Sequence, residues 1–551
     1  RPRVFQDDNV AAILRGDQLI GRLPGRILEA MATKHITRLV KSEHGESRFE
    51  EVTSTDEVIK LAGRIGELDL AGEFGVPDER IPSLDIVTRL AIGAGIDALR
   101  DAGIPLVMRY KTTTRGTKLP ERWGLPEALQ DDTGIIFASA FPGYDSFSER
   151  VKGYNIDHER RKRLAELESL RASLAARGVA AEALADVDEK VAALKELLEK
   201  EHYTFDRRFL FRILSMGHSQ FAELIGARGP NTQINTACGS MGFAAGLAED
   251  WIRAGRCRRV LVLSSDNATS DHMMEWIGAG FVASGAAALD ERVEDAALPF
   301  DRRRHGMVIG AGAAAFVVES AEAARERGIT PICRLLSSVA GNSAFHGTRL
   351  DVNHIAQVME TLVSGAERKW GVDRHAIAPH TVFVSHETYT PARGGSASAE
   401  VFALRSVFGT SADSIVMANT KGFTGHAMAT GIEDVVGVKM LETGLVPPIP
   451  NFKEIDPELG VLNLSKGGRY DCDFALRLGA GFGSQITMTL MERVPPPDGK
   501  RPAPDALGFA YRIHDPARFR AWLSAVSVYD APATELDKRN FRVKNAGEPP
   551  R

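Results

Sequence analysis

The chain of 551 residues has only four cysteines, Cys238, Cys257, Cys333 and Cys472, and no CxxC pair among them. That excludes a disulfide scaffold, offers no zinc-site spacing, and suits a reducing cytosol, so a cytoplasmic location is expected. Long apolar runs are also missing. The most apolar stretches, such as the one around Val260 to Ser264, are far shorter than the roughly 20 residues that span a bilayer. There is no basic excess either: Lys+Arg 68 against Asp+Glu 73 gives a net charge of −5, which recommends no nucleic acid as partner. No charged-then-apolar leader follows Arg1, and the start reads as excised. What is present is ordinary: 44% hydrophobic and 26% charged residues make a folded chain with a large core.

Along the chain, residues 83–104 read as an amphipathic helix stopped by Gly103, and residues 134–139 as a buried strand. Composition then turns to Arg, Lys, Glu, Ala and Leu over residues 157–201. Leu164, Leu167, Leu170 and Leu174 precede Gly178, and Val187, Val191, Leu194 and Leu198 follow it. Each set recurs every three or four residues, which predicts two helices joined at Gly178, zipped to each other and projecting from the body. From residue 206 onward strands and helices alternate, with buried strands at 260–264, 312–318, 381–385 and 415–418 and a strand pair at 475–478 and 485–491. Alternating units of this kind predict an α/β protein with sheets covered on both faces. PPPDGKRPAPD, from Pro495 to Asp505, reads as a linker, followed by one helical stretch around 519–524 and then irregular sequence.

Cys238 lies in NTACGSMGF, at the junction between a loop and a clear helix, AAGLAEDWIRAG. Free N–H groups and the helix dipole at such a junction are expected to lower a thiol pKa from about 8.5, and the small neighbours leave room for a substrate. The other three cysteines have no such setting and read as structural. His386 follows the strand TVFVS, at the end of a strand where α/β active sites gather. His426 lies in NTKGFTGHAMATG, a small-residue loop entering a helix near Ile432, with Lys421 five residues ahead. One cysteine and two loop histidines at element ends form a candidate nucleophilic site. GAGAAA at 310–315 imitates a dinucleotide fingerprint but precedes its strand, so no dinucleotide site is assigned.

These segments, in their order, resemble the β-ketoacyl-acyl-carrier-protein synthases of the thiolase-like superfamily. NTACGSM resembles that family's nucleophile segment, and LPFDRRRHG its Pro-Phe-Asp-x-x-Arg-x-Gly segment. SHETYTP resembles the His-Gly-Thr-Gly-Thr-Pro loop, and NTKGFTGH the Lys-Ser-Asn-x-Gly-His loop. PPIPNF and GAGFGSQ resemble the closing segments. The resemblance covers most of residues 8–495, but the strand that normally opens such a domain is not found. It implies a five-layer α-β-α-β-α sandwich of two similar halves: 1–319 with the nucleophile and the inserted hairpin 157–201, and 320–495 with both histidines. Residues 496–551 would be a linker or post-synthase segment folding back on the body.

The resemblance further implies a decarboxylative Claisen condensation. Cys238 would carry the acyl group, while His386 and His426 would stabilise the enolate of a malonyl-type thioester. Backbone N–H groups of Cys238 and Phe482 would form the oxyanion hole, Thr388 and Thr390 would contact the pantetheine arm, and Lys421 would organise the site, paired with Glu400. No metal or organic cofactor enters the scheme. The implied partners are an acyl carrier protein, a second copy in a homodimer, and neighbouring domains of a fatty-acid or polyketide multienzyme. Departures from the family pattern are Glu387 and Tyr389 in place of two glycines, a longer stretch to Glu400 containing Gly394 and Gly395, Ala311 in place of a glutamate, and Ser484-Gln485 in place of Gly-Thr. The rivals are a thiolase or other acyltransferase of the superfamily, whose second closing cysteine is absent, and a non-condensing scaffold or chain-length partner, which usually lacks the nucleophile.

Overall fold

The computed structural model describes residues 7–40, 47–390, 395–505 and 508–548. Gly394 lies outside them. The first half runs through α1 (Ile86–Asp101), β1 (Thr133–Ala138), the inserted α2 (Tyr144–Ala176) and α3 (Ala181–Lys200), β2 (Asn231–Ile234), α4 (Ser240–Arg253), β3 (Arg259–Asp266) and β4 (Gly312–Glu319). The second follows as β5 (Cys333–Asn342), α5 (Val352–Trp370), β6 (Thr381–Val384), α6 (Ser396–Phe408), β7 (Val416–Ala418), α7 (Ile432–Thr443), β8 (Phe474–Gly481) and β9 (Gln485–Arg493).

The first sheet has the order β4-β3-β1-β2, with β1 parallel to β2 and β3 and antiparallel pairing only at β4. The second has the order β5-β9-β8-β6-β7 and repeats that pattern around β6, with β5 added antiparallel at one edge. Helix α1 covers the outside of the first sheet, and α5 with α6 the outside of the second. Helices α4 and α7 each touch strands of both sheets and form the middle layer. The result is the expected five-layer sandwich of two similar halves. Its central strands are buried over their whole length, β1 and β3 without an exposed residue, which is why they read as continuous apolar runs. A cavity of about 840 Å³ runs beside β4 between α1 and the middle layer, where the second sheet has β5.

The insertion starts earlier than its composition suggested. Helix α2 begins at Tyr144, because its first turns are anchored in the body: Ser146 Oγ donates to Asp85 (2.6 Å), and Asp145 accepts from Ser270 and Asn267. Beyond that base α2 and α3 pack together, burying Leu184, Val191 and Leu198, with Arg160–Glu201 and Lys195–Glu168 ion pairs across the seam. The segment after the linker is also more ordered than expected. Helix α8 (Pro516–Ser527) and a hairpin, β10 (Thr534–Asp537) with β11 (Asn540–Val543), fold back on the first half. There Phe509, Phe519, Trp522 and Phe541 join the cluster under α1. No helix among the described residues is long and apolar enough to cross a membrane.

Candidate active site

Both halves contribute to one enclosed site between the sheets. Cys238 stands two residues ahead of Ser240, the first residue of α4, in a turn where Ala237 takes φ +50°. Ser240 Oγ holds that turn by accepting from Thr236 N (2.9 Å) and donating to the Ala237 carbonyl (2.6 Å). From the other half, the corner between β8 and β9 presses on the same turn. A Cβ on Gly481 would lie 2.9 Å from Cys238 N, so only glycine permits the approach.

His426 sits in a loop pinned to the first half. Its N–H donates to the Val308 carbonyl and its carbonyl accepts from Gly310 N, both at 2.8 Å. Asp266, at the end of β3, is fully buried and adds a second clamp. It accepts from Ser139 Oγ and the N–H groups of Ala140 and Phe141 on one side, and from Ala429 N (2.8 Å) on the other. Burial pushes the Asp266 carboxyl up to about 6, against those hydrogen bonds. So placed, His426 Nε2 lies 2.9 Å from Cys238 Sγ. Its Nδ1 is buried without a hydrogen bond among the described residues.

His386 follows β6, and its ring stands edge-on to that of His426 at 5.7 Å between centroids. Its N–H donates to Glu400 Oε1 (2.7 Å), and Ser385 Oγ donates to the other oxygen (2.5 Å). Lys421 Nζ donates to His386 Nδ1 (2.9 Å) and to the His386 carbonyl (3.0 Å), and pairs with Glu433 at 3.3 Å. A protonated amine donating to Nδ1 leaves the histidine proton on Nε2. Burial, then the Lys421 charge, hold both imidazoles well below 6.5, so they are neutral.

Two sequence expectations are corrected. The thiol of Cys238 is not lowered: burial pushes it up to about 11, against the pull of Lys421 and with the Glu433 and Asp266 carboxylates adding to the rise. The ionic partner of Lys421 is not Glu400 but Glu433. Burial raises the Glu400 carboxyl to about 8, leaving it neutral at pH 7. Burial also acts on Glu433, but Lys421 and Arg477 pull it below its ordinary value, so it carries the charge.

The remaining candidates divide. Phe482 is exposed at the β8–β9 corner beside Phe281, and Thr388 and Thr390 are half-buried after His386. The two departures in the histidine loop have structural uses. Glu387 is fully buried, accepts from Ser396 Oγ and Ala397 N at the start of α6 (2.8 Å each), and faces Arg304 at 3.6 Å. Tyr389 takes φ +47°, as the replaced glycine would, and donates from its hydroxyl to the Lys421 carbonyl at 3.2 Å.

Sequence reasoning missed Asp266, Glu433, Asp434 and Arg477. Arg477 had a signal: a charge at a core-facing position of an otherwise apolar strand, FALRLGAG. Its guanidinium lies 3.9 Å from Glu433 and 3.6 Å from Asp434.

Residues 170–324 match the family described as Beta-ketoacyl synthase, N-terminal domain. The chain is 29% identical over 275 residues to the tetracenomycin polyketide synthase ketoacyl synthase alpha subunit of Streptomyces glaucescens, covering 49% of this chain and 61% of that protein. It is 28% identical over 315 residues to the chloroplastic 3-oxoacyl-[acyl-carrier-protein] synthase I of Arabidopsis thaliana, covering 55% and 62%. The matches to these two relatives thus span about three-fifths of their length. Among solved structures, a β-ketoacyl synthase from Burkholderia phymatum superposes with a TM-score of 0.60 at 18% identity, covering 88% of this chain and 95% of that one. A type II polyketide synthase acyl-carrier protein in complex with its ketosynthase gives 0.55 at 21%, covering 79% and 88%.

Proposed function

We propose that this chain, which has the thiolase-like fold of the ketosynthases and a β-ketoacyl synthase N-terminal domain over residues 170–324, is a β-ketoacyl-[acyl-carrier-protein] synthase. The observation that carries the reading is the convergence of Cys238 Sγ, 2.9 Å from His426 Nε2, with a second neutral imidazole whose ring centre lies 5.7 Å from the first. Cys238 attacks an acyl thioester, and its thiol proton ends on the departing carrier thiol. The backbone N–H groups of Cys238 and Phe482 hold the oxyanion, each worth about 3 kcal/mol.

A malonyl-type thioester then loses CO₂. Its enolate oxygen takes hydrogen bonds from Nε2–H of His386 and of His426, and the α-carbon attacks the acyl-cysteine. Collapse of the tetrahedral adduct releases a 3-oxoacyl thioester and the Cys238 thiolate, which is reprotonated. Because both imidazoles are held neutral, the donors persist well below pH 6.5. Lys421 keeps the proton of His386 on Nε2, Glu400 supports the histidine's backbone, and Thr388 and Thr390 contact the pantetheine arm. The substrates arrive on an acyl carrier protein, and no resident cofactor enters the scheme. The enzyme works as a cytoplasmic homodimer beside the other domains of a fatty-acid or polyketide multienzyme.

Intact mass after incubation with a panel of acyl thioesters tests this. Wild type is expected to gain one acyl group that Cys238→Ala does not. With malonyl carrier protein added, His426→Ala is expected to load but not extend. A folded wild type that no acyl thioester or acyl carrier protein loads would overturn the reading in favour of a non-condensing partner.

A further inference from the structure

Three inward-facing positions of β8 are 477, 479 and 481. The last two are glycines pressed against the nucleophile turn, with built Cβ positions 3.3 Å from Gly239 Cα and 2.9 Å from Cys238 N. Arg477 is therefore the first side chain of that row, directly behind the site, and it is 4% exposed. A guanidinium in such a place costs several kcal/mol of desolvation unless carboxylates compensate it. Here two do, Glu433 at 3.9 Å and Asp434 at 3.6 Å, both in the first turn of α7. Its Nε and Nη1 make no hydrogen bond among the described residues, so it is held by charge.

Glu433 is shared. It also pairs with Lys421 at 3.3 Å, and the two other donors of that ammonium go to His386 Nδ1 and the His386 carbonyl. Lys421 and Arg477 face Glu433 and Asp434 in a buried quartet. Burial raises the Asp434 carboxyl and the Arg477 charge opposes that rise, as Glu433 opposes the lowering of Lys421 by burial. Without Arg477, Lys421 alone would face both carboxylates, and its bond to Nδ1 would compete with two anions in a medium of low dielectric. We infer that Arg477 is a positioning residue: by neutralising Asp434 and sharing Glu433, it keeps Lys421 donating to Nδ1 and so keeps the proton of His386 on Nε2.

The inference rests on the ketosynthase reading, in which that N–H holds the enolate. The groups that act on His386 are Glu400 on α6, Lys421, His426, and Arg477 on β8. Glu433 and Asp434 on α7 stand behind Lys421 and Arg477, and Cys238 stands against His426. Glu387 and Arg304 lie just beyond. Arg477 is one of the charges that oppose protonation of both histidines. Its removal therefore moves the acid limb of the decarboxylation rate upward in pH.

The test compares wild type with Arg477→Met, Arg477→Lys and Arg477→Met/Asp434→Asn. Arg477→Met is expected to load acyl groups within about threefold of wild type but to decarboxylate malonyl carrier protein at least tenfold more slowly at pH 7. Arg477→Lys should restore most of the rate, and so should the double variant, which restores charge balance. Nitrogen-15 NMR of the histidines supplies a readout independent of turnover: His386 should be the Nε2–H tautomer in wild type and shift toward a mixture or imidazolium in Arg477→Met. If Arg477→Met does not fold, wild type and the double variant still decide the matter, since equal spectra and rates support charge balance and unequal ones oppose it. An Arg477→Met enzyme with a wild-type pH profile and tautomer overturns the inference. A wild type that neither loads nor decarboxylates overturns the ketosynthase reading instead, and the NMR comparison still judges Arg477.

Discussion

Glu400 lies beneath the histidine loop with both oxygens accepting hydrogen bonds, one of them from His386 N, and burial raises it to about 8. A carboxyl raised on folding stabilises the native state fully below its unfolded value near 4.5. That contribution is lost as the pH climbs through 8, at up to about 1.4 kcal/mol per pH unit. Glu400→Gln keeps an acceptor for His386 N and removes the titration. Its urea midpoint is therefore expected to gain on wild type from pH 5 to about pH 8 and to level off above that. Parallel curves over that range would refute the assignment of a buried, neutral carboxyl here. The same residue explains why Lys421 turns to Glu433: a protonated acid offers an ammonium far less than an ionised one.

The helical hairpin supplies none of the side chains that meet at the site. Val191 and Leu198 of α3 are buried against α2, while most of the remaining surface of both helices is charged and exposed. An aspartate at Val191 places a charge in that seam, at a cost on the order of 3 kcal/mol, confined to the hairpin. In Val191→Asp, hydrogen exchange is expected to accelerate over residues 160–200 while acyl loading of Cys238 stays at the wild-type level. Joint loss of protection and loading would show that the hairpin supports the site. The base of α2 is different in kind, because Asp145 and Ser146 tie it to the core.

At the scale of the molecule, the tail is part of the fold. Leu106 N donates to the Phe541 carbonyl and Val543 N to the Leu106 carbonyl, both at 2.9 Å, and Arg539 pairs with Asp97 of α1 at 2.6 Å. Phe519, Trp522 and Phe541 are each at most 9% exposed, and burying a side chain of that size contributes roughly 1.5–3 kcal/mol. A chain ending at Pro504 is thus expected to melt several degrees lower and to associate through the uncovered α1 face. Phe541→Ala should reproduce part of the loss, at about 3–5 kcal/mol. Unchanged melting of the shortened chain would mean that the tail rests on the body without supporting it.

By itself the sequence determined the layered α/β architecture, the hairpin, and the three residues that meet at the site. Each was legible because its signal is local: apolar runs mark buried strands, a repeat of three or four marks paired helices, small residues mark the loops around Cys238 and His426, and the end of a buried strand marks His386. Only the tertiary structure decided the charges. Whether Cys238 is lowered or raised depends on how completely the two halves close over it, not on the helix it precedes. Whether Lys421 faces Glu400 or Glu433 depends on which carboxyl keeps its proton once buried. Arg477 is 51 residues from His426 in the chain, and only the packing of β8 against α7 brings it under the same site. Electrostatics in a closed interior is summed over neighbours in space, and a sequence lists neighbours only along the chain.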